Sequence, residues 1–347
     1  MPVAERRTLT AHKKQKYMKR YNNLYENIFS LDNLQLADKN ARKGKSHQYG
    51  VRFFDRKKEQ NLLLLQQMLI NKSFETSKYH TFIICDSGKE RVIYRLPYFP
   101  DRIVHHAIMQ VVQPIWLSTF TADTYSCIEG RGIHQAVAKL KTALHNTAET
   151  KYCLKLDIKK YYPSVNHDIL KTIIRKKIKD TDLLILLDKI IDSAPGLPIG
   201  NYLSQYFANL YLAYLDHYCK EDLQVKYYFR YADDIVILYH DKEHLHSLLK
   251  KIETYVTENL NLVVKSNYQV FPVDVRGIDF LGYVFRHTHI LLRKGIKQRF
   301  ARMMKKHADN TEKKAASYAS YKGWAEHCNS RNLINKLNHD YKRKQSA

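Results

Sequence analysis

The chain has 347 residues, 44% of them apolar, and carries 58 Lys and Arg against 34 Asp and Glu, a net charge of +24. Such length and apolar content suit a folded protein with a real core, either two or three domains or one enzyme of several subdomains. The charge makes an extended polyanion such as nucleic acid the leading partner, ahead of an anionic lipid surface or a merely basic exterior. The five cysteines (Cys85, Cys127, Cys153, Cys219, Cys328) are scattered without metal-ligand spacing and fit free thiols in a reducing cytosol. No apolar run approaches the roughly 20 residues of a membrane span, and the basic N-terminus lacks the apolar segment of a signal peptide, so a cytoplasmic protein is expected.

In chain order, the segment to about Asn40 reads as a basic arm or short surface helices, with seven Lys or Arg in its first twenty residues. Residues 57–74 have the look of an amphipathic helix. "TFIICDSGKERVIYRLPYFP" reads as strand, Ser-Gly turn and strand, ended by Pro97 and Pro100. "DRIVHHAIMQVVQPIWLSTF" returns to helical spacing. Its His105-His106 pair points two ways on a helix and reads as packing or surface rather than metal. "KYCLKLDIKKYYPSV" is predicted as a strand ending at Pro163, and the stretch from His167 to Ile191 as helical. "GLPIGNYLSQYFANLYLAYLDHYC" is a loop entering a long apolar helix, with Ser204 or Asn201 as candidate caps.

"FRYADDIVIL" then reads as a β-hairpin bent near Ala232-Asp233. A helix ("DKEHLHSLLKKIETYVTENL"), a strand ("LNLVVKSNYQVFPV") and a further strand ("GIDFLGYVF") follow. From about Leu291 the chain is helical and basic, with fifteen Lys or Arg against four Asp or Glu. Helices mixed with mostly antiparallel strands give an α+β fold.

Two adjacent carboxylates between apolar runs repel each other, and a hairpin tolerates them best when a cation compensates. Asp residues are also common in turns. The second apolar strand, "LKLDIKKYYPSV", supplies Asp157, and the three together can surround two magnesium ions, which take oxygen ligands and clamp an in-line phosphoryl displacement.

At these residues the chain resembles reverse transcriptases. "YADD" is similar to their Tyr-x-Asp-Asp box, "LKLDIKKYYPSV" to their first catalytic block, "GLPIGNYLSQYFANLYL" to the next, and "FLGYVF" to the primer-grip hairpin. The likeness covers about Lys89 to Asn329. It implies a right hand: fingers over 41–150 after the arm of 1–40, palm over 151–290, and a basic helical thumb and tail over 291–347.

Ile199-Gly200…Ser204-Gln205 stands where retroviral and group II intron enzymes carry Gln-Gly…Ser-Pro. That pattern, with "SYKGWAEHCNS" near the C-terminus, resembles the reverse transcriptases of diversity-generating retroelements, prokaryotic or phage-encoded. The resemblance implies an enzyme that copies a template-repeat RNA into cDNA mutated opposite adenines, binds the RNA/cDNA duplex and dNTPs, and works with a small basic accessory variability protein. A retron, group II intron or abortive-infection type of reverse transcriptase is the alternative, and a catalytically silent RNA-binding scaffold a third reading.

By the same resemblance Asp157, Asp233 and Asp234 are the catalytic metal ligands, Asp234 the least direct, with the Ile158 backbone beside them. Tyr162 matches the steric gate against a 2′-hydroxyl; its other reading is a core tyrosine, as Tyr161 is expected to be. Lys89 and Arg91 match the fingers cations for the triphosphate. Arg102 is a further candidate or else one half of a structural ion pair. "YSCIEGRGIH" departs from the intron-type Phe-Arg-Pro-Gly pattern and leaves Arg131 as the cation there. Lys265 lies near the position of a general acid for pyrophosphate, or is a surface lysine. Ile199 and Gly200 would lie by the incoming nucleotide, and Tyr231, Ala232, Gln205, Leu281 and Gly282 by primer and template.

Overall fold

The computed structural model describes residues 19–86, 88–306 and 311–336, so the first part of the expected arm and the tail beyond 336 lie outside the described residues. Four helices open the described chain: α1 (Tyr25–Phe29), α2 (Leu31–Ala41), α3 (Tyr49–Asp55) and α4 (Lys58–Ile70). Ser30 starts α2 by accepting from the Asn33 N–H at 3.4 Å. These first helices are not a surface arm: Ile28, Leu34 and Ala37 are fully buried in the main core. Nor is α4 cleanly amphipathic, since Leu62, Leu65 and Leu69 are buried while Leu63, Leu64 and Ile70 are exposed.

The hairpin β1 (His80–Asp86) and β2 (Lys89–Arg95) forms as its alternation predicts. Helices α5 (Ile103–Leu117) and α6 (Ile133–Leu144) follow. His105 packs into the core and His106 stacks on Tyr202, centroids 4.2 Å apart, so the pair does point two ways.

Strand β3 (Tyr152–Asp157) ends six residues before Pro163, which sits instead inside the single turn α7 (Tyr161–Ser164). The cause is local: Ile158 leaves the strand to bridge Val264, and Lys160 takes a left-handed φ of 46° that reverses the chain. Two helices, α8 (His167–Arg175) and α9 (Thr181–Ile191), replace the continuous one expected; the carboxylate of Asp180 breaks the run by accepting from Leu183 N–H and from Leu24 and Tyr25. Helix α10 (Tyr202–His217) begins after Asn201, but neither Asn201 nor Ser204 caps it; Asn201 donates to Tyr79 Oη at 2.7 Å.

Strands β4 (Tyr227–Tyr231) and β5 (Asp234–Tyr239), helix α11 (Lys242–Leu260) and strand β6 (Gln269–Pro272) complete an antiparallel sheet of order β4-β5-β3-β6. Of the stretch from Leu260 to Val273 predicted as a strand, only Gln269–Pro272 forms one. After the turn α12 (Val273–Arg276), "GIDFLGYVF" is no single strand: it folds into the hairpin β7 (Ile278–Phe280) and β8 (Tyr283–Phe285), joined to β9 (Ile290–Leu292). Helices α13 (Lys294–Lys306) and α14 (Thr311–Ala325) follow, and residues 331–336 are again helical.

Period-two alternation splits the four-stranded sheet between two cores. Leu154, Leu156, Tyr228, Ile235 and Ile237 face the main core with α5, α8, α10 and α11. Cys153, Phe229, Val236, Leu238 and Phe271 face a second core with α6 and β7–β9. Each such side chain contributes about 1.5–3 kcal/mol on burial. The architecture is the α+β fold expected, antiparallel sheets packed against helices. Among the described residues no helix is long and apolar enough to cross a membrane.

Candidate active site

The parity that fills the second core also places the carboxylates. Continuing Cys153, Lys155 along β3 reaches Asp157, and continuing Leu238, Val236 back along β5 reaches Asp234. The β3–β5 register sets these two opposite each other, so both side chains leave the same face at the same sheet end. Asp233 occupies the turn with Ala232, which takes a φ of 53°.

Burial first, and then the Asp157 carboxylate beside it, pushes the Asp233 carboxyl well above the usual range. Asp234 is pushed up to about 6, chiefly by burial, with Lys155 opposing. Lys155 Nζ lies 3.7 Å from Asp234 Oδ2. Lys265 is no remote surface residue: its ammonium meets Asp157 Oδ2, and its N–H donates to the Asp157 carbonyl at 2.9 Å. The Ile158–Val264 bridge is flanked by that bond and by Lys159 N–H to Val263 O, at 2.8 Å, which leaves the Ile158 carbonyl turned away from segment 263–265.

One oxygen on each of Asp157 and Asp234 (Oδ1) is buried without a hydrogen-bond partner. Orphaned carboxylate oxygens beside a third acid of raised pKa fit a hard divalent cation. The convergence is looser than expected, however. Among the described residues no three His, Cys, Asp or Glu are gathered in metal-holding geometry. Asp157 and Asp233 adjoin, while Asp234 leans toward Lys155.

The turn is held from below by a residue the sequence reading passed over. Arg230 is fully buried and pairs with the equally buried Asp216, Nε to Oδ1 and Nη2 to Oδ2, both at 2.6 Å. Tyr228 Oη and Thr124 Oγ1 donate to the same carboxylate at 2.7 and 2.8 Å. Arg230 Nη1 is left to donate to the Ala232 carbonyl at 2.9 Å. The available signal was a charge inside a mostly aromatic strand, three residues before the acidic pair.

On the nucleotide side, Tyr162 is half-buried. Its hydroxyl is pushed up by burial, by Cys127 and by Asp233, with Arg91 opposing. Tyr161 is buried and donates to the Ala208 carbonyl at 2.5 Å, a packing role. Lys89 stands at the tip of β1–β2, opposite Asp86 in register. Arg131 Nη1 donates to the Thr121 carbonyl at 2.8 Å. The Ile199 carbonyl accepts from Tyr94 N–H at 2.8 Å. Gly200 permits that contact: its φ is +118°, and a Cβ there would stand 2.5 Å from the Tyr94 carbonyl oxygen. Gln205 is exposed on α10. Tyr231, Asp234, Leu281 and Gly282 line one cavity of about 570 Å³ with Arg293 and Trp324. Leu281 and Gly282 form the two-residue β7–β8 turn, with φ of 54° and 86°.

A family model described as reverse transcriptase (RNA-dependent DNA polymerase) matches residues 76–285, more than half of the chain. Protein YkfC of Escherichia coli strain K12 is 29% identical over 153 residues, 40% of either chain. The group II intron-encoded protein LtrA of Lactococcus lactis subsp. cremoris is 26% identical over 175 residues, 46% of this chain and 28% of that one. The chain spans less than half the length of these curated relatives. Among solved structures, telomerase from Candida tropicalis in complex with a TWJ fragment of telomeric RNA is 13% identical, with a TM-score of 0.49 over 79% of this chain and 58% of that one. With the acidic hairpin, the opposed strand-end Asp157 and the matched span all in place, the chain belongs to the reverse transcriptase family of RNA-dependent DNA polymerases.

Proposed function

We propose that this chain copies an RNA template into DNA at the Asp157–Asp233 end of the palm sheet, and that it does so as the polymerase of a diversity-generating retroelement. The observation that carries the polymerase reading is the Asp157–Asp234 register with Asp233 in the turn beside it. Asp157, Asp233 and the Ile158 carbonyl would hold magnesium, with Asp234 at its flank. Bound there, two such ions supply Lewis acidity that lowers the pKa of a primer 3′-hydroxyl and offsets charge on the leaving pyrophosphate.

The chain's own residues do the rest. The Tyr162 ring closes the space beneath the sugar against a 2′-hydroxyl. Arg91, and Lys89 from the hairpin tip, take the triphosphate. Lys265, already against Asp157, is placed to give a proton to the departing oxygen. Tyr231, Ala232, Leu281 and Gly282 receive the primer end, and Gln205 faces the template. Fingers, palm and thumb at 41–150, 151–290 and 291–347 are the division this reading uses.

The retroelement reading rests on Ile199 and Gln205. Where an amide would check the incoming pair by hydrogen bonds, Ile199 offers only apolar contact, which narrows the gap between right and wrong nucleotides. An accessory variability protein and a template-repeat RNA are the partners this reading implies. The specific observation favouring an intron-type enzyme instead is the likeness to the intron-encoded protein LtrA. Primer extension on RNA by the parent and by Asp233→Asn tests the chemistry: equal incorporation removes the polymerase. Sequencing the cDNA tests the type. Errors concentrated opposite template adenine support the retroelement, and a flat, sparse error spectrum supports the intron type.

A further inference from the structure

Strand β3 carries one more charge on the face that Asp157 and Asp234 leave. Lys155 stands two residues before Asp157, so its side chain points the same way. It is half-buried and held at both sides. Its ammonium lies 3.7 Å from Asp234 Oδ2 and donates to the Asp279 carbonyl of β7.

The geometry of β7 gives that second bond its reason. The β7–β8 turn holds two residues, so Phe280 and Tyr283 close the ladder. The next pair, Asp279 with Val284, is then the wide one, and the Asp279 carbonyl points out from the edge of the sheet. An edge carbonyl turned toward the protein needs a donor. Ile278 and Phe280 bury the other face of β7 in the second core. Between Lys155 and the hairpin, however, lies a cavity of about 380 Å³, with Phe271, Gly277 and Val284 in its wall, in place of packed side chains. The Lys155 stem spans that gap.

The polar chain continues past β7. The Asp279 carboxylate accepts from Arg293 Nε at 2.6 Å, and the Arg293 backbone N–H donates to the Gly282 carbonyl at 2.9 Å. The neighbouring cations are committed elsewhere: Lys265 meets Asp157, and Arg276 lies over the Phe271 ring, 5.3 Å from its centroid. Asp234, Lys155, Asp279, Arg293 and Gly282 thus run in sequence from the acidic hairpin to the turn that walls the primer-side cavity. A lysine serving only as counter-charge to Asp234 needs no bond to β7. A lysine reserved for a phosphate would keep its ammonium free.

We infer that Lys155 is a positioning residue: it sets the separation between the Asp234 end of the sheet and the β7–β8 turn, and so seats a primer end against the acids. The primer clause rests on the polymerase reading; the link from Lys155 to the turn does not.

The test uses the full chain, first without metal, dNTP or nucleic acid. Trp324 packs against Gly282, so its emission reports the seat of the turn. Lys155→Met keeps the apolar stem, loses both bonds and shifts that emission; Lys155→Gln, whose amide is too short to reach Asp279, does the same. Arg293→Gln also shifts it, and the double variant Lys155→Met with Arg293→Gln shifts it less than the sum of the two, whereas independent sites add. Lys155→Arg keeps charge and donors and restores the parent spectrum. In primer extension, Lys155→Met lowers kcat/KM for the primer–template about tenfold, leaves KM for dNTP unchanged, and is rescued by Lys155→Arg. Parent-like emission in both Lys155→Met and Lys155→Gln, or additive shifts in the double variant, overturns the link. So does a weaker primer–template with an unshifted spectrum, which makes Lys155 a direct phosphate contact, or a lowered Tm with parent kinetics and spectrum, which makes it merely structural. A chain that shows the emission shifts but makes no DNA fails the functional reading alone. A chain that makes DNA while Lys155→Met keeps the parent spectrum fails only this role.

Discussion

The guanidinium of Arg230 reaches the Ala232 carbonyl at 2.9 Å while both its Asp216 bonds stay intact, so one sealed ion pair fixes the height of the acidic turn. Arg230→Met leaves Asp216 buried and unpaired, and is expected to cost about 3–5 kcal/mol in urea unfolding. Arg230→Lys keeps the charge but cannot span both partners. It is expected to fold, to lose more than about tenfold in kcat, and to need more magnesium for half-maximal rate. Parent-like magnesium dependence in Arg230→Lys would show that the turn stands without this bond.

Divalent cation should stabilise the native chain, because it relieves repulsion among Asp157, Asp233 and Asp234 and binds the unfolded state weakly. Magnesium is expected to raise the Tm of the parent by a few degrees and to leave Asp157→Asn nearly unmoved. An equal rise in both would place the binding elsewhere.

Gly282 has a φ of +86°, and a Cβ there would stand 2.7 Å from Ile296 and from the Trp324 ring. Gly282→Ala should therefore push the β7–β8 turn off α13 and α14, at a cost of about 1–3 kcal/mol. Trp324 is one of only two tryptophans, and Trp116 is fully buried, so the displacement is readable as a shift in emission. An unshifted spectrum with parent stability contradicts the contact.

His105 is buried with Nε2 unpartnered, and burial lowers its pKa to about 3, with His106 and Arg102 adding. The folded state thus holds fewer protons than the unfolded one between that value and the ordinary 6.5. The contribution to stability is complete above pH 6.5 and is lost as pH falls toward 3, about 2 kcal/mol of it by pH 5. His105→Leu should flatten that part of the pH–stability curve; the same slope in both proteins would assign it to other groups.

Ile199→Gln tests the error-prone reading directly. It restores an amide at the position beside Tyr94, and misincorporation opposite template adenine should fall several-fold with little change opposite the other bases. An unaltered spectrum removes Ile199 as the cause.

The acidic hairpin was legible because two charges interrupt two alternating apolar runs, and β1–β2, α5, α10 and α11 were legible from period and turn residues alone. The β7–β8 hairpin was not legible from pattern, and only the family likeness of "FLGYVF" pointed to it. Its strands are three residues long, and its turn puts a left-handed φ on Leu281, a residue that ordinarily argues against one. The end of β3 was misjudged because Ile158 stays apolar while pairing with a different segment. The bond from Arg131 to the Thr121 carbonyl was not legible, because a backbone partner leaves no trace in composition. The crowding that Gly200 relieves comes from Tyr94, more than a hundred residues earlier in the chain, which no local pattern shows. Residue types announced the acids; the distances between segments decided what each neighbour does.

The palm sheet is a partition between two separately packed compartments, and the carboxylates leave from the side of the lesser one. A chain so divided need not fail all at once. Warming or mild denaturant that loosens β7–β9 and the helices docked on them would disarm the site while most helical signal persists, so inactivation should precede the main unfolding transition.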